Sequence, residues 1–91
     1  GADFVIVEFS ATTTGSARPT TIIVNGKQGV LSWLANATAG YEILLMSRNA
    51  TVSDTGIYFD KAYRKTISGT TATENNASAI PTRIYAIKGV R

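Results

Sequence analysis

The chain holds six acids, Asp3, Glu8, Glu42, Asp54, Asp60 and Glu74, with no histidine and no cysteine beside them. A two-carboxylate hydrolase needs a pair of such groups facing each other across a substrate at several ångströms. Here Asp54 falls in a turn and Glu74 in a long polar stretch, while Glu8 and Glu42 alternate with apolar residues, as solvated strand charges do. Serine and threonine are plentiful, but without an imidazole a hydroxyl nucleophile would need a lysine or carboxylate base, and no local motif supplies one. A Cys/His zinc site and a disulfide framework are excluded within this chain. The glycines form no Gly-rich loop opening a helix, so neither a P-loop nor a dinucleotide fingerprint is present. The residues read as those of a non-enzyme that carries no cofactor and no metal.

Binding chemistry is better represented. Sugars are recognised by stacking their C–H faces on exposed rings while Asn, Asp, Thr and Arg bond the hydroxyls. Trp33, Tyr41, Tyr58, Tyr63 and Tyr85 are the candidate rings, and each falls in a strand-like run, where core or cross-strand packing competes for them. Trp33 is expected to anchor the core. Tyr58 follows the Asp54-Thr55-Gly56 turn, and simple alternation places Asp60 and Arg64 on its face. The expected ligand contacts are therefore Tyr58 for stacking, with Asp54, Asp60 and Arg64 for hydroxyls and Asn75 and Asn76 as adaptable donors. The basic residues are dispersed rather than striped, so nucleic acid is not the expected partner despite a net charge of +3. Three Asn-x-Ser/Thr triplets, at Asn36, Asn49 and Asn76, lie where Asn, Ala, Thr and Ser saturate the sequence and read as chance.

These residues must be positioned by strands. Thirteen threonines, with valine, isoleucine and aromatics in short runs between Gly, Asn and Ser clusters, suit a pleated half-buried surface. The runs predict strands over Phe4 to Ser10, Thr20 to Val24, Val30 to Ala35, Tyr41 to Arg48, Ile57 to Arg64 and Thr82 to Val90. Gln28 to Ala37 also has helical spacing, through Val30, Trp33, Leu34 and Ala37, and a short helix is the alternative there. Asn25-Gly26 reads as a hairpin loop, and Pro19 and Pro81 as strand entrances. Ala11 to Arg18, Asn49 to Thr55 and Ser68 to Ala79 read as linkers. The fold class is all-β, a small antiparallel β-sandwich, with residues 1–91 as one domain. A chain that opens almost directly on a strand reads as a fragment of something longer.

At 91 residues, 44% hydrophobic and 16% charged, the chain is apolar enough to fold and short enough that its core is small. Its longest apolar runs fall far below the ~20 residues of a membrane-spanning helix, and membrane insertion is not expected. Several strands carry apolar residues on both faces, more than a two-layer monomer needs. Self-association, as a homotrimer, is the expected use of that surplus, through Phe4, Ile6, Leu44, Met46, Ile84 and Ile87.

The last segment, Asn75-Asn76-Ala77-Ser78-Ala79-Ile80-Pro81-Thr82-Arg83-Ile84-Tyr85-Ala86-Ile87-Lys88-Gly89, joins an Asn-rich loop to Ile-Pro and a closing Ile-Tyr-x-Ile-Lys strand. It resembles the C-terminal ends of phage and prophage tail-fibre or tail-tip proteins. Ser53 to Lys65, with a turn, Ile57-x-Phe59 and Ala62-Tyr63, looks like the penultimate strand of those domains. The resemblance covers about the last forty residues, with an echo in Phe4 to Phe9. It implies a small β-sandwich head at the tip of a virion fibre, a homotrimer that works outside the cell by attaching to a bacterial surface receptor, saccharide or protein. Such families share no fixed binding residues, so none transfers to positions here. A structural trimerisation domain without ligand, and a carbohydrate-binding module of a secreted protein, are the competing readings.

Overall fold

A computed structural model describes residues 2–13, 15–36, 43–69 and 71–89. They form seven strands and no helix: β1 Phe4–Ser10, β2 Thr20–Val24, β3 Gln28–Asn36, β4 Ile43–Ser53, β5 Gly56–Thr66, β6 Thr73–Glu74 and β7 Ile80–Ile87. Two antiparallel sheets face each other, one of three strands in the order β2-β1-β7 and one of four in the order β3-β4-β5-β6. The all-β sandwich-like architecture predicted by the β-branched runs is the one observed.

The buried core lies between the inner faces. Val5, Val7 and Phe9 of β1 and Ile23 of β2 meet Leu31 of β3 and Ala50 and Val52 of β4, with Trp33, Ile57 and Phe59 packed against the cluster. Each large side chain so buried contributes on the order of 1.5–3 kcal/mol. Period-two alternation explains the selection, since Phe4, Ile6 and Glu8 point the other way. The sheets approach closely where β2 crosses β3. A Cβ on Gly29 would lie 2.5 Å from Cγ1 of Ile23, so only glycine lets the isoleucine seat there.

Several sequence expectations are corrected. Asn25-Gly26 does not close a hairpin within one sheet. Lys27 N donates to Val24 O at 3.0 Å across a turn in which Gly26 takes a φ of +82°, and the chain passes from the three-stranded to the four-stranded sheet. Asn49 to Thr55 is no linker: β4 continues to Ser53, with Ala50 and Val52 buried, and the small residues that mimic a loop are those that fit beneath β1 and β2. Of the two readings of Gln28 to Ala37, the favoured one, strand, is observed, over Gln28–Asn36; Ala37 lies outside the described residues, as do Tyr41, Glu42 and Val90. Pro81 sits inside β7 rather than before it, opposite Phe9 and next to an irregularity in the ladder, a place an edge strand offers to a residue without an N–H. Ser68 to Ala79 contains β6, a strand of two residues paired to Arg64 and Tyr63.

The apolar surplus is real, and it is distributed differently from expectation. On the outer face of the three-stranded sheet, Val24, Phe4 and Ile87 form one cross-strand row and Ile22, Ile6 and Tyr85 the next. Ile22 is 65% exposed and Val24 53%. Met46 is buried on the core side of β4 and Leu44 half-buried on that same side, so neither belongs to this patch, and Ile84 lies on the opposite face of β7. Phe4, Ile6 and Ile87 remain in it.

Candidate functional site

Strand length creates a long concave surface at one end of the four-stranded sheet. Strands β3, β4 and β5 run for 9, 11 and 11 residues, whereas β2, β1 and β7 run for 5, 7 and 8. At ~3.3 Å per residue, the longer sheet extends past the shorter one by roughly 10 Å. The overhang carries the inward-facing Ala35, Leu44, Met46, Arg64 and Thr66, and no strand of the other sheet covers it. Two connections partly close it instead, residues 11–13 and residues 75–78. The result is a groove with two adjoining hollows of about 400 and 340 Å³. The first is lined by Leu44, Arg64, Lys65, Thr66, Thr71, Thr73, Glu74 and Asn75, and the second reaches Thr12, Thr13, Asn36, Met46 and Ser78. Leu44, Arg64 and Asn75 belong to both.

A bulge decides which way Arg64 faces. Phe59 pairs with Ala50 and Ala62 with Arg48, so Asp60 and Lys61 together oppose Asn49. One extra residue inverts the alternation beyond it. Tyr58 and Tyr63 are outward, whereas Ala62 and Arg64 point to the core side, and Arg64 pairs across the ladder with Met46. The expectation that Arg64 shares a face with Tyr58 is therefore overturned. Asp60 stays exposed on the outer side, with Oδ1 accepting from Lys61 N at 2.8 Å.

The six expected contact residues consequently fall into separate places. Tyr58 is 69% exposed, which answers whether it is buried. It stands over a shallow depression of about 210 Å³ with Thr51, Ser53 and Thr55 at the β4–β5 turn. Asp54 is near it in that turn, accepting from Asn25 Nδ2 at 2.7 Å. Arg64 and Asn75 meet in the groove, roughly 20 Å along β5 from Tyr58. Asn76 is exposed next to Asn75 and lines neither hollow.

The groove wall is held by a residue the sequence reading passed over. Arg48 points to the core side of β4, where its guanidinium donates Nε to Ala79 O at 2.9 Å, Nη2 to Ser78 O at 3.3 Å and Nη1 to the bulge carbonyl of Asp60 at 2.9 Å. Ala79, fully buried, takes a φ of +48°, and its N–H bonds Ala11 O at 3.1 Å. A non-glycine residue in that region persists only when its surroundings hold it. Asn75 N donates to Ala62 O at 2.9 Å, and Asn75 Oδ1 accepts from Ala77 N at 2.9 Å, so the strap from 75 to 79 is fastened at both ends. The signal for Arg48 was its parity, the same as that of Met46, Ala50 and Val52. The signal for the bulge was Asp60-Lys61, two successive charges between Phe59 and Ala62. Thr71 and Thr73 gave none.

On the outer side, Lys61 Nζ lies 3.3 Å from Glu74 Oε1. That hydrogen bond, with the carboxylate charge behind it, raises the lysine above its ordinary pKa of 10.5. No cluster of three or more acidic, histidine or cysteine side chains able to hold a metal occurs among the described residues. The groove thus presents a guanidinium, an ammonium, a carboxylate, an amide and several hydroxyls beside the apolar Leu44 and Met46. Comparison with protein-family models, with curated proteins and with solved structures finds no match to this chain.

Proposed function

We propose that this chain is a host-recognition domain of the phage tail-fibre type, which attaches to a bacterial surface saccharide through the groove beneath β5 and β6. The observation that carries this reading is the groove itself: an open trough whose lining of Arg64, Asn75, Thr66, Thr71 and Thr73 offers several hydrogen-bond donors and acceptors beside the apolar Leu44. Two of its walls are loops on a rigid sheet, the usual location of recognition surfaces. The site of attachment is thereby moved from Tyr58 to the opposite end of the longer sheet.

Assembly as a homotrimer goes with this reading and is supported by the two apolar rows across β2, β1 and β7. A stable interface buries ~800 Å² per partner, and exposed rows of that kind are what such an interface covers. The domain would then act on the virion, outside the host cell.

The test is attachment of the purified, labelled domain to bacteria before and after their surface polysaccharide is stripped. Attachment is expected on intact cells, with at least a tenfold loss on stripped cells and on filling the groove with Thr71→Trp. Attachment that survives both treatments rejects the saccharide reading in favour of another receptor and another face.

A further inference from the structure

Arg64 is the one described arginine without a protein partner. Arg18 donates to Gly15 O at 2.7 Å and Ala17 O at 3.0 Å. Arg48 serves the three carbonyls described above, and Arg83 hydrogen-bonds Tyr85. Arg64 makes neither a hydrogen bond nor an ion pair with any described residue, although the bulge turns it toward the core side of the sheet, opposite Met46 on β4 and Thr73 on β6. The one carboxylate in the groove lining, Glu74, is engaged by Lys61 at 3.3 Å. At the junction of the two hollows there is thus an exposed guanidinium whose charge is not paired by any described carboxylate, flanked by threonine hydroxyls and by Asn75, whose Oδ1 is taken by Ala77 N.

We infer that the groove takes an acidic rather than a neutral polymer, with an oxyanion on a hydroxylated unit received by the Arg64 guanidinium and neighbouring hydroxyls received by Thr66, Thr73 and Asn75. This rests on the saccharide reading above and adds the charge of the ligand. A guanidinium presents paired N–H donors in a planar fork matched to carboxylate and to phosphate, and such charge-assisted bonds are about twice as strong as neutral ones. Carboxylate, as in a uronic acid, and phosphate, as in a polyol-phosphate chain, share this chemistry. Lys65, which lines the first hollow beside Arg64, adds a point charge that favours an anion but lacks the fork.

The experiment is calorimetric titration of the intact chain with three probes, polygalacturonate, poly(glycerol phosphate) and neutral dextran, repeated with Arg64→Gln and Arg64→Lys. Expected is binding of at least one anionic polymer and none of dextran, with Arg64→Gln weakening it at least tenfold and Arg64→Lys several-fold at unchanged melting temperature. Which anionic polymer binds names the source of the oxyanion. An Arg64→Gln variant that binds the anionic polymers as the parent does overturns the inference, as does dextran bound as tightly as they are. Dextran binding alone removes the acidic ligand and leaves the saccharide reading standing. Failure of all three probes to bind removes both.

Discussion

The two ends of the four-stranded sheet are built from the same strands and behave as different materials. At the β4–β5 turn the sheet lies beneath β1 and β2, and Gly26 N reaches Val52 O at 2.8 Å across the gap between sheets. Ile23 sits so close to Gly29 that no side chain fits between them. At the other end the strands outrun their cover, and what closes the space is a strap pinned by Arg48 and a two-residue strand. The difference teaches how a small domain divides its labour. Apolar contact between Ile23, Leu31, Ala50 and Val52 dominates the closed end, with backbone hydrogen bonds such as Gly26 N to Val52 O at its margin. Directed hydrogen bonds hold the open end, and among the described arginines they leave Arg64 without a protein partner.

The largest expected effect tests this contrast directly. Ile23→Ala removes a side chain that is 2% exposed, and large-to-small changes at such sites cost about 2–5 kcal/mol. Leu44→Ala removes a comparable volume from the groove floor, where water already reaches, and should cost about 1 kcal/mol or less. In a domain of this size each kilocalorie per mole moves the melting temperature by roughly 4–8 °C. Melting curves in which the two variants lose the same amount would erase the distinction between the ends.

Arg48→Met comes next. It deprives the carbonyls of Ser78, Ala79 and Asp60 of a charged donor, and a lost charge-assisted bond costs about 1.5–3 kcal/mol. The loss should be local before it is global. Amide exchange at Ser78 and Ala79 is expected to quicken more than at Val5 or Val7, and binding of an anionic polymer to fall with it. Uniform quickening across both sheets would mean that Arg48 stabilises the whole core and that the strap is no separate unit.

How much of this division was legible in the sequence depends on how local its cause is. Val5, Val7 and Phe9 announce a core face because alternation is a property of one strand. Arg64 could not be placed, because a single bulge residue reverses parity and the signal for it, Asp60-Lys61, is two exposed charges in an otherwise regular run. Asn49 to Thr55 reads as a linker because its small residues are ambiguous until another sheet lies over them. The groove was invisible for a stronger reason. It follows from a mismatch in length between strands far apart in sequence, and the pairing that produces it is a long-range choice. Asp54 and Tyr58 are legible as turn and exposed ring, yet their distance from Asn75 depends on that same choice.

Tyr58→Ala sharpens the comparison from the closed end. With 69% of the residue already exposed, its removal should change stability by less than about 0.5 kcal/mol. Attachment to cells should stay within twofold of the parent, because the ring is roughly 20 Å from the groove. A fivefold loss at unchanged stability would transfer the recognition surface to the Asp54-Thr55 turn, where Tyr58 stands over Thr51 and Ser53.

The smallest effect concerns the outer side of the open end, where Glu74 of the two-residue β6 pairs with Lys61. The carboxylate raises the lysine above its ordinary 10.5, so the folded chain holds this proton more tightly than the unfolded one. The pair's contribution is accordingly complete below that ordinary value and disappears as the pH rises through the raised one. Because both side chains are largely in solvent, global stability should hardly register the change. Strand β6, held to β5 by only two residue pairs, should register it. Above pH 10.5 the parent is expected to lose affinity for an anionic polymer, over and above any decline shown by Glu74→Gln at the same pH. If Glu74→Gln and the parent decline in parallel through that range, β6 owes its position to the backbone ladder alone, and the groove wall is stiffer than its two residues suggest.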